Sequence, residues 1–438
     1  MTERATIAKA SKRILPFLFI LYVVSYLDRG NVAFAKLPML ADLGFSESVF
    51  GFGAGLFFAG YVLMGIPSVL VAERWSARRW LGRILIIWGC CTVLLGFVNS
   101  PVQFYGARFL LGMAEAGFFP IVILYLSNWF PARVRAAALS GLIVAVPVSF
   151  VISAPLSTAC MSISWFGMAG WRWIFILQGL PAVILGFITP LYLSDRPSEA
   201  LWLEPDEREW LSDELARENA AKRKHSNVTV RQALTSRYVL VLSAALSLIV
   251  LASYGYILWL PTTIQQHSGR STEQSTLLST IPFLMAALTV QVTARSSDRR
   301  RERKLHTAIP LIVAGLSFAM ITIPGQSFVV TMVWLSITGM SLWAWSPPFW
   351  VLPTITMGES AAAASIGFIN TVGNIGGFVG PAMVGYMLSA GRSPSVAVLF
   401  LSFCFVASGA LILTLSVPKS MHELVERKYG EVPPVAYK

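Results

Sequence analysis

Arg108 and Glu115 stand seven residues apart in the stretch FYGARFLLGMAEAGFFP, residues 104–120, near the middle of an apolar run from 102 to 125. Seven residues is close to two helical turns, so in a helix both side chains leave one face, roughly 10 Å apart along the axis. Gly112 lies between them on that face and leaves room for the arginine to reach along the helix. A charge at the centre of a membrane helix costs about 3 kcal/mol on insertion scales, so such residues face a partner or a wet cavity. The helix is therefore expected to line a pathway. Burial raises a carboxyl pKa and a nearby guanidinium lowers it. A pair that forms in one conformation and breaks in another can thus load and release a proton.

The first apolar run, ILPFLFILYVVSYLDRGNVAFA, holds a second such set. Consecutive helical residues point about 100° apart, so Asp28 and Arg29 cannot share a face. Tyr22, Tyr26 and Arg29 do share one, forming a polar stripe with a cationic head. The plainer alternative is a salt bridge that only neutralises charge. Asp28 and Glu115 are the only acidic residues well inside apolar runs, and His225, His267, His306 and His422 fall in loops or at run ends. If a proton moves, these two carboxylates carry it. Two intramembrane arginines facing two acids point to an anionic substrate, because guanidinium grips a carboxylate bidentately.

Later in the chain, Asn370 and Asn374 lie one turn apart and need polar partners in a membrane, either a ligand or another helix. Pro347 and Pro348 should break or bend the tenth run. Trp350 is then expected to form a cavity wall, and Trp343 and Trp345 to anchor at the membrane interface. Tyr61 and Tyr254 are candidate cavity hydroxyls. The glycine series 51-53-55 and 373-376-377-380 reads as close helix contact rather than a nucleotide loop. No phosphate loop, metalloprotease or nucleophile-elbow pattern occurs, so an enzyme is not expected, and neither is a cofactor or metal.

The elements that must hold these residues follow from composition. Of 438 residues, 55% are hydrophobic and 13% charged, about half the charged share of a soluble protein. This is the composition of an all-α polytopic membrane protein. Twelve apolar runs span 14–36, 49–71, 80–98, 102–125, 137–160, 172–193, 237–262, 273–294, 307–323, 327–352, 361–388 and 395–416. The formal charge of +12 does not signal nucleic acid. Lys36, Arg270 and Arg392 fall on one side, with Arg172 at a boundary and Arg29 and Arg108 buried. The remaining Lys and Arg collect on the other side, which the positive-inside rule makes cytoplasmic. Both termini are expected there, in a cell inner membrane. Cys90, Cys91, Cys160 and Cys404 show no paired spacing.

Residues 1–193 and 237–416 then read as two six-helix bundles, with a linker over 194–236 and a cytoplasmic tail over 417–438. A linker helix is expected after Glu204-Pro205, either with Trp202, Leu203, Trp210, Leu211 and Leu215 forming an apolar face at the membrane surface or as a solvated tether between the halves. Arg74-x-x-Ala77-Arg78-Arg79 corresponds to Arg299-x-x-Glu302-Arg303-Lys304, and Pro155 to Pro381, at nearly one offset. Repeated halves with a site between them are a transporter signature.

Seven stretches together carry a family resemblance: LDRGNVAFA, RFLLGMAEAGFFP, SNWFPARVRAAA, WRWIFILQGLPA, LSDRPSEALWL, SDRRRERKLH and INTVGNIGGFVGP. The chain resembles the anion:cation symporter branch of the major facilitator superfamily over nearly its whole length. Members move organic anions such as tartrate, sugar acids, phthalate and hydroxyphenylacetate. The resemblance implies proton-coupled symport by alternating access, with Asp28 and Glu115 as the coupling acids and Arg29 as the carboxylate-binding residue. It implies that Arg108 pairs with the fourth-helix acid and helps orient the substrate, and that Tyr26, Tyr61, Trp350 and Asn370 line the substrate cavity. Ser76 replaces a usual glycine, Glu359 lacks the usual basic neighbour, and Ala154-Pro155 stands where drug antiporters carry Gly-Pro. The expected function is import of a small organic carboxylate with protons, by a chain that works as a monomer in the lipid bilayer. An organic-anion exporter or antiporter on the same fold, and a non-transporting membrane sensor, are the alternatives.

Overall fold

The computed structural model describes residues 3–223, 235–356 and 359–415, and among them there is no strand. Seventeen helices follow in order: α1 (Glu3–Leu43), α2 (Glu47–Arg74), α3 (Ala77–Leu95), α4 (Pro101–Glu115), α5 (Phe118–Ser127), α6 (Ala132–Ile143), α7 (Ala145–Met161), α8 (Gly170–Tyr192) and α9 (Pro205–Arg223). Then come α10 (Arg237–Ser268), α11 (Thr272–Leu278), α12 (Thr280–Arg300), α13 (Lys304–Met320), α14 (Phe328–Ala344), α15 (Ser346–Thr356), α16 (Glu359–Ser389) and α17 (Pro394–Leu413). Among the described residues, eight helical stretches are long and apolar enough to cross a membrane. The other predicted runs are helical as well, and those in α1 and α3 carry charge within them. The residues after Leu415 and residues 224–234, with His225 and His422, lie outside the described residues, as do Met357 and Gly358.

Breaks inside the long apolar runs have local causes. The fourth run stops at Glu115, where Ala116 is extended and Gly117 has φ +86°. Only glycine adopts that left-handed conformation at little cost, and Pro120 cannot donate to the preceding turn. The tenth run breaks at Trp345, just before Pro347 and Pro348. Helix starts recur along the chain. Ser46 and Ser271 cap α2 and α11 by accepting from Val49 N at 3.2 Å and Gln274 N at 3.3 Å. Gly44 and Gly269 end the preceding helices, both at φ +64°.

Helices before residue 193 pack mainly on one another, α3 on α8 and α2 on α4, and those after 237 likewise, α10 on α16 and α13 on α17. The two sets meet where α2 lies on α16, α7 on α12 and α1 on α10. Hydrogen bonds that join them lie at the end remote from the basic loops: Lys36 to Thr262, Trp259 to Glu47, and Ser48 N to Ser389 Oγ. Lys36, expected on the outer side, is wholly buried in α1.

The helix after Glu204 forms as expected, with Pro205 at its first position and Glu207 accepting from Glu204 N at 2.9 Å, one half of a capping box. Its apolar face does not lie on the membrane, however. Leu203, Leu211 and Leu215 are buried in the protein, and Trp202 stacks on Trp129 at 5.4 Å. Lys9 bonds Glu207 at 2.9 Å and Arg135 bonds Glu218 at 2.6 Å, so α9 is clamped to the first set of helices. The Lys9 ammonium, and then the Glu204 amide, hold the Glu207 carboxyl below its ordinary pKa. A depressed folded pKa adds stability at pH above the unfolded value, lost as pH falls through the folded one. Acidification is therefore expected to loosen α9, seen as a change in Trp202 fluorescence, and Glu207→Gln should show the loosened signal already at neutral pH. An unchanged signal in that variant would separate α9 docking from this pair.

Candidate transport site

The central cavity, about 150 Å³, lies between the two sets of helices. Tyr26, Arg29, Tyr61, Trp350, Asn370 and Asn374 all line it. Helical periodicity brings the first two there together, as expected: Tyr22 stacks on Tyr26 at 5.8 Å, and the Arg29 guanidinium lies 5.0 Å from the Tyr26 ring centroid and 5.2 Å from that of Tyr61. Asp28, on the other face, is 1% exposed and accepts from Asn31 Nδ2 at 2.9 Å. Asn374 Nδ2 donates to Asn370 O at 2.7 Å within α16, so both amides face the cavity instead of bridging helices.

Arg29 Nε donates to Glu115 Oε1 at 2.6 Å, and Ser25 Oγ donates to the same oxygen at 2.9 Å. Glu115 is fully buried while Arg29 keeps 11% of its side-chain surface exposed. The second Glu115 oxygen, Oε2, is buried with no hydrogen-bond partner among the described residues. Buried polar atoms are nearly always paired, so this carboxylate is incompletely satisfied in this arrangement of the helices.

The expected Arg108–Glu115 pair does not form. Arg108 is buried, donates to Ala54 O at 3.3 Å and lies 4.9 Å from the Phe57 ring centroid. It is not a lining residue of the cavity, although it remains within Coulombic reach of Asp28 and Glu115. The cause is Gly112. Its bare face is filled by the Phe57 carbonyl of α2 and leaves no channel for a side chain. A Cβ there would collide with backbone, so Gly112→Ala is expected to cost about 1–3 kcal/mol, measured as a lower unfolding midpoint in detergent. Gly106→Ala, with nothing within 4 Å, should hold or raise the midpoint. Equal midpoints in the two variants would refute close α2–α4 contact.

Trp343 and Trp345, expected at the membrane interface, instead line the cavity. The break before Pro347 turns them inward, Trp345 Nε1 closing on Leu342 O at 2.7 Å and Trp343 lying 5.4 Å from Phe150. Tyr22, Ser25 and Phe150 also line it, and only Tyr22 had a sequence signal, its spacing from Tyr26 and Arg29. Ser25 and Phe150 carry no pattern that separates them from ordinary helix-packing residues.

The profile of the Major Facilitator Superfamily matches residues 18–381. The chain belongs to that superfamily. This member is 39% identical over its whole length to a protein of Agrobacterium vitis named a tartrate transporter, covering 99% of that relative. It is 35% identical to a quinolone resistance transporter of Acinetobacter baumannii, over 95% of each chain. It is 36% identical to a metabolite transport protein, NicT, of Pseudomonas putida, over 94% of each chain. A bacterial homologue of the human lysosomal transporter Spinster, solved inward-facing and occupied, superposes with TM-score 0.70 at 18% identity, over 95% of this chain and 97% of that one. This facilitator is therefore a multi-pass membrane transporter and not an enzyme.

Proposed function

We propose that the chain is a symporter that imports a small organic carboxylate with one or more protons across a bacterial inner membrane. In this reading twelve spans form two six-helix bundles, residues 1–193 and 237–416, around the central cavity, with both termini cytoplasmic. The observation that carries it is the Arg29–Glu115 pair: a cation that faces the cavity, held by a carboxylate that does not. Arg29 cannot serve Glu115 and a substrate carboxylate equally well. Two unit charges about 4 Å apart attract by about 4 kcal/mol at an effective dielectric of 20. Protonating Glu115 removes that attraction and frees the guanidinium for substrate. Proton and anion thereby favour each other's binding, which is the thermodynamic requirement for symport. Arg29 takes over the role expected of Arg108, while Arg108 and Asp28 tune the field around Glu115. Asp28 is the second candidate proton carrier.

The relatives named for tartrate and metabolite transport support a small organic anion as substrate. Tyr26, Tyr61, Trp350, Asn370 and Asn374 would hold its body. Proteoliposomes given labelled L-tartrate and a panel of aromatic and sugar carboxylates test this. Accumulation should require an inward proton gradient and vanish with a protonophore. Accumulation that ignores the gradient would remove symport. The relative named for quinolone resistance favours a second reading, export or antiport of an organic anion, in which proton and substrate fluxes run in opposite directions in the same vesicles.

A further inference from the structure

We propose that Trp259 and Thr262 of α10, closing on the Lys36–Glu47 pair of α1 and α2, form the outer gate of the transport cycle. The inference goes beyond the site above and rests on the alternating-access part of that reading.

Lys36 is fully buried, and its ammonium lies 3.0 Å from Glu47 Oε2, 3.2 Å from Thr262 Oγ1 and 4.5 Å from the Trp259 ring centroid. Trp259 Nε1 donates to the same Glu47 oxygen at 3.0 Å. The ion pair is therefore contained in the first bundle, between helices joined by a short turn. What crosses to the second bundle is a neutral indole N–H, a hydroxyl and an aromatic face. This division matters energetically. A buried charge that loses its counter-ion is strongly penalised, so a salt bridge split across the bundles would orphan two charges whenever the gate opened. Here the opening motion removes only neutral partners, which water can replace, and Lys36 keeps Glu47 throughout.

The position along α10 supports a gate. Tyr254 and Ile257 line the central cavity, while Trp259 and Thr262, further along the helix, line a separate cavity of about 290 Å³ with Glu47 and Arg392. The latch thus stands between the two spaces. Around it the backbones are in contact, with the bare faces of Gly51 and Gly385 against Pro381 O and Glu47 O. Ser48 N donates to Ser389 Oγ at 2.8 Å at the same end.

The test uses the full chain with its four cysteines, Cys90, Cys91, Cys160 and Cys404, replaced by serine. A single reporter, Ser253→Cys, is placed in the central cavity. Right-side-out vesicles are treated with a membrane-impermeant maleimide, which needs neither substrate nor proton gradient. Trp259→Phe, which keeps the ring and removes the N–H, combined with Thr262→Val, removes both hydrogen bonds to the charged pair and should raise the external labelling rate at least about tenfold, the order of the weaker of two such bonds. Because no ion pair among the described residues crosses the interface, raising the salt concentration in the unmutated gate should change the rate less than twofold. An unchanged rate in the double variant, or a salt-driven rise in the parent, would overturn the proposal. Lys36→Met with Glu47→Leu keeps the volume apolar and guards against misfolding. If that pair also labels like the parent, the gate lies elsewhere. A symport failure with intact gating responses would count against the Glu115 mechanism alone.

Discussion

Glu115→Gln is expected to abolish gradient-driven accumulation, by at least about a hundredfold, while counterflow exchange of labelled substrate persists. Glutamine still offers a carbonyl oxygen to Ser25 Oγ and Arg29 Nε, the two donors that converge on Glu115 Oε1. The local packing therefore survives. It cannot take up a proton, and it no longer competes for Arg29 with a full negative charge. The variant mimics the protonated state in every conformation, so the carrier can bind and exchange substrate but cannot use a proton gradient to pull it uphill. Substrate affinity at neutral pH should be equal or tighter than in the parent, because the guanidinium is released. Wild-type accumulation by this variant would take Glu115 out of the coupling step and leave Asp28, which accepts from Asn31, as the remaining carrier. Lost exchange as well as lost accumulation would instead mean that Glu115 holds the cavity together.

Arg29→Lys should weaken carboxylate binding by about 30- to 100-fold, equivalent to one of the two charge-assisted bonds a planar fork can make. The ammonium lacks the fork and the broad cationic plane of the guanidinium, whose carbon lies 5.0 and 5.2 Å from the Tyr26 and Tyr61 ring centroids. It still neutralises Glu115, so the unfolding midpoint should hold and the loss should appear in the Kd from thermal-shift or scintillation-proximity titration. Arg108→Lys supplies the contrast. Arg108 touches the Ala54 carbonyl and the Phe57 ring and does not line the cavity. Its substitution should move stability and the pH dependence of transport more than affinity. If the two lysine variants weaken binding equally, the guanidinium of Arg29 is not the carboxylate site.

Much of this was legible in residue order because helical periodicity sets the direction of each side chain around its own axis. The divergence of Asp28 from Arg29, the shared face of Tyr22, Tyr26 and Arg29, and the break ahead of Pro347 all follow from one helix at a time. So does the helix that starts at Pro205. Composition and charge placement likewise suffice for a polytopic membrane protein, since an apolar run of this length has no other stable solvent.

What one helix cannot specify is how far it slides along, and rotates against, its neighbours. Arg29 finds Glu115 across 86 residues, and nothing local distinguishes that partner from Asp28 beside it. Gly112 reads as space for a side chain until the Phe57 carbonyl is seen to occupy it. The buried Lys36, and an α9 face covered by Trp129 and the helices around it, depend in the same way on packing between distant segments. Side-chain direction is a property of the residue and its turn. Side-chain partnership is decided only when glycine-lined helix faces come together and one arrangement leaves the fewest charges unpaired.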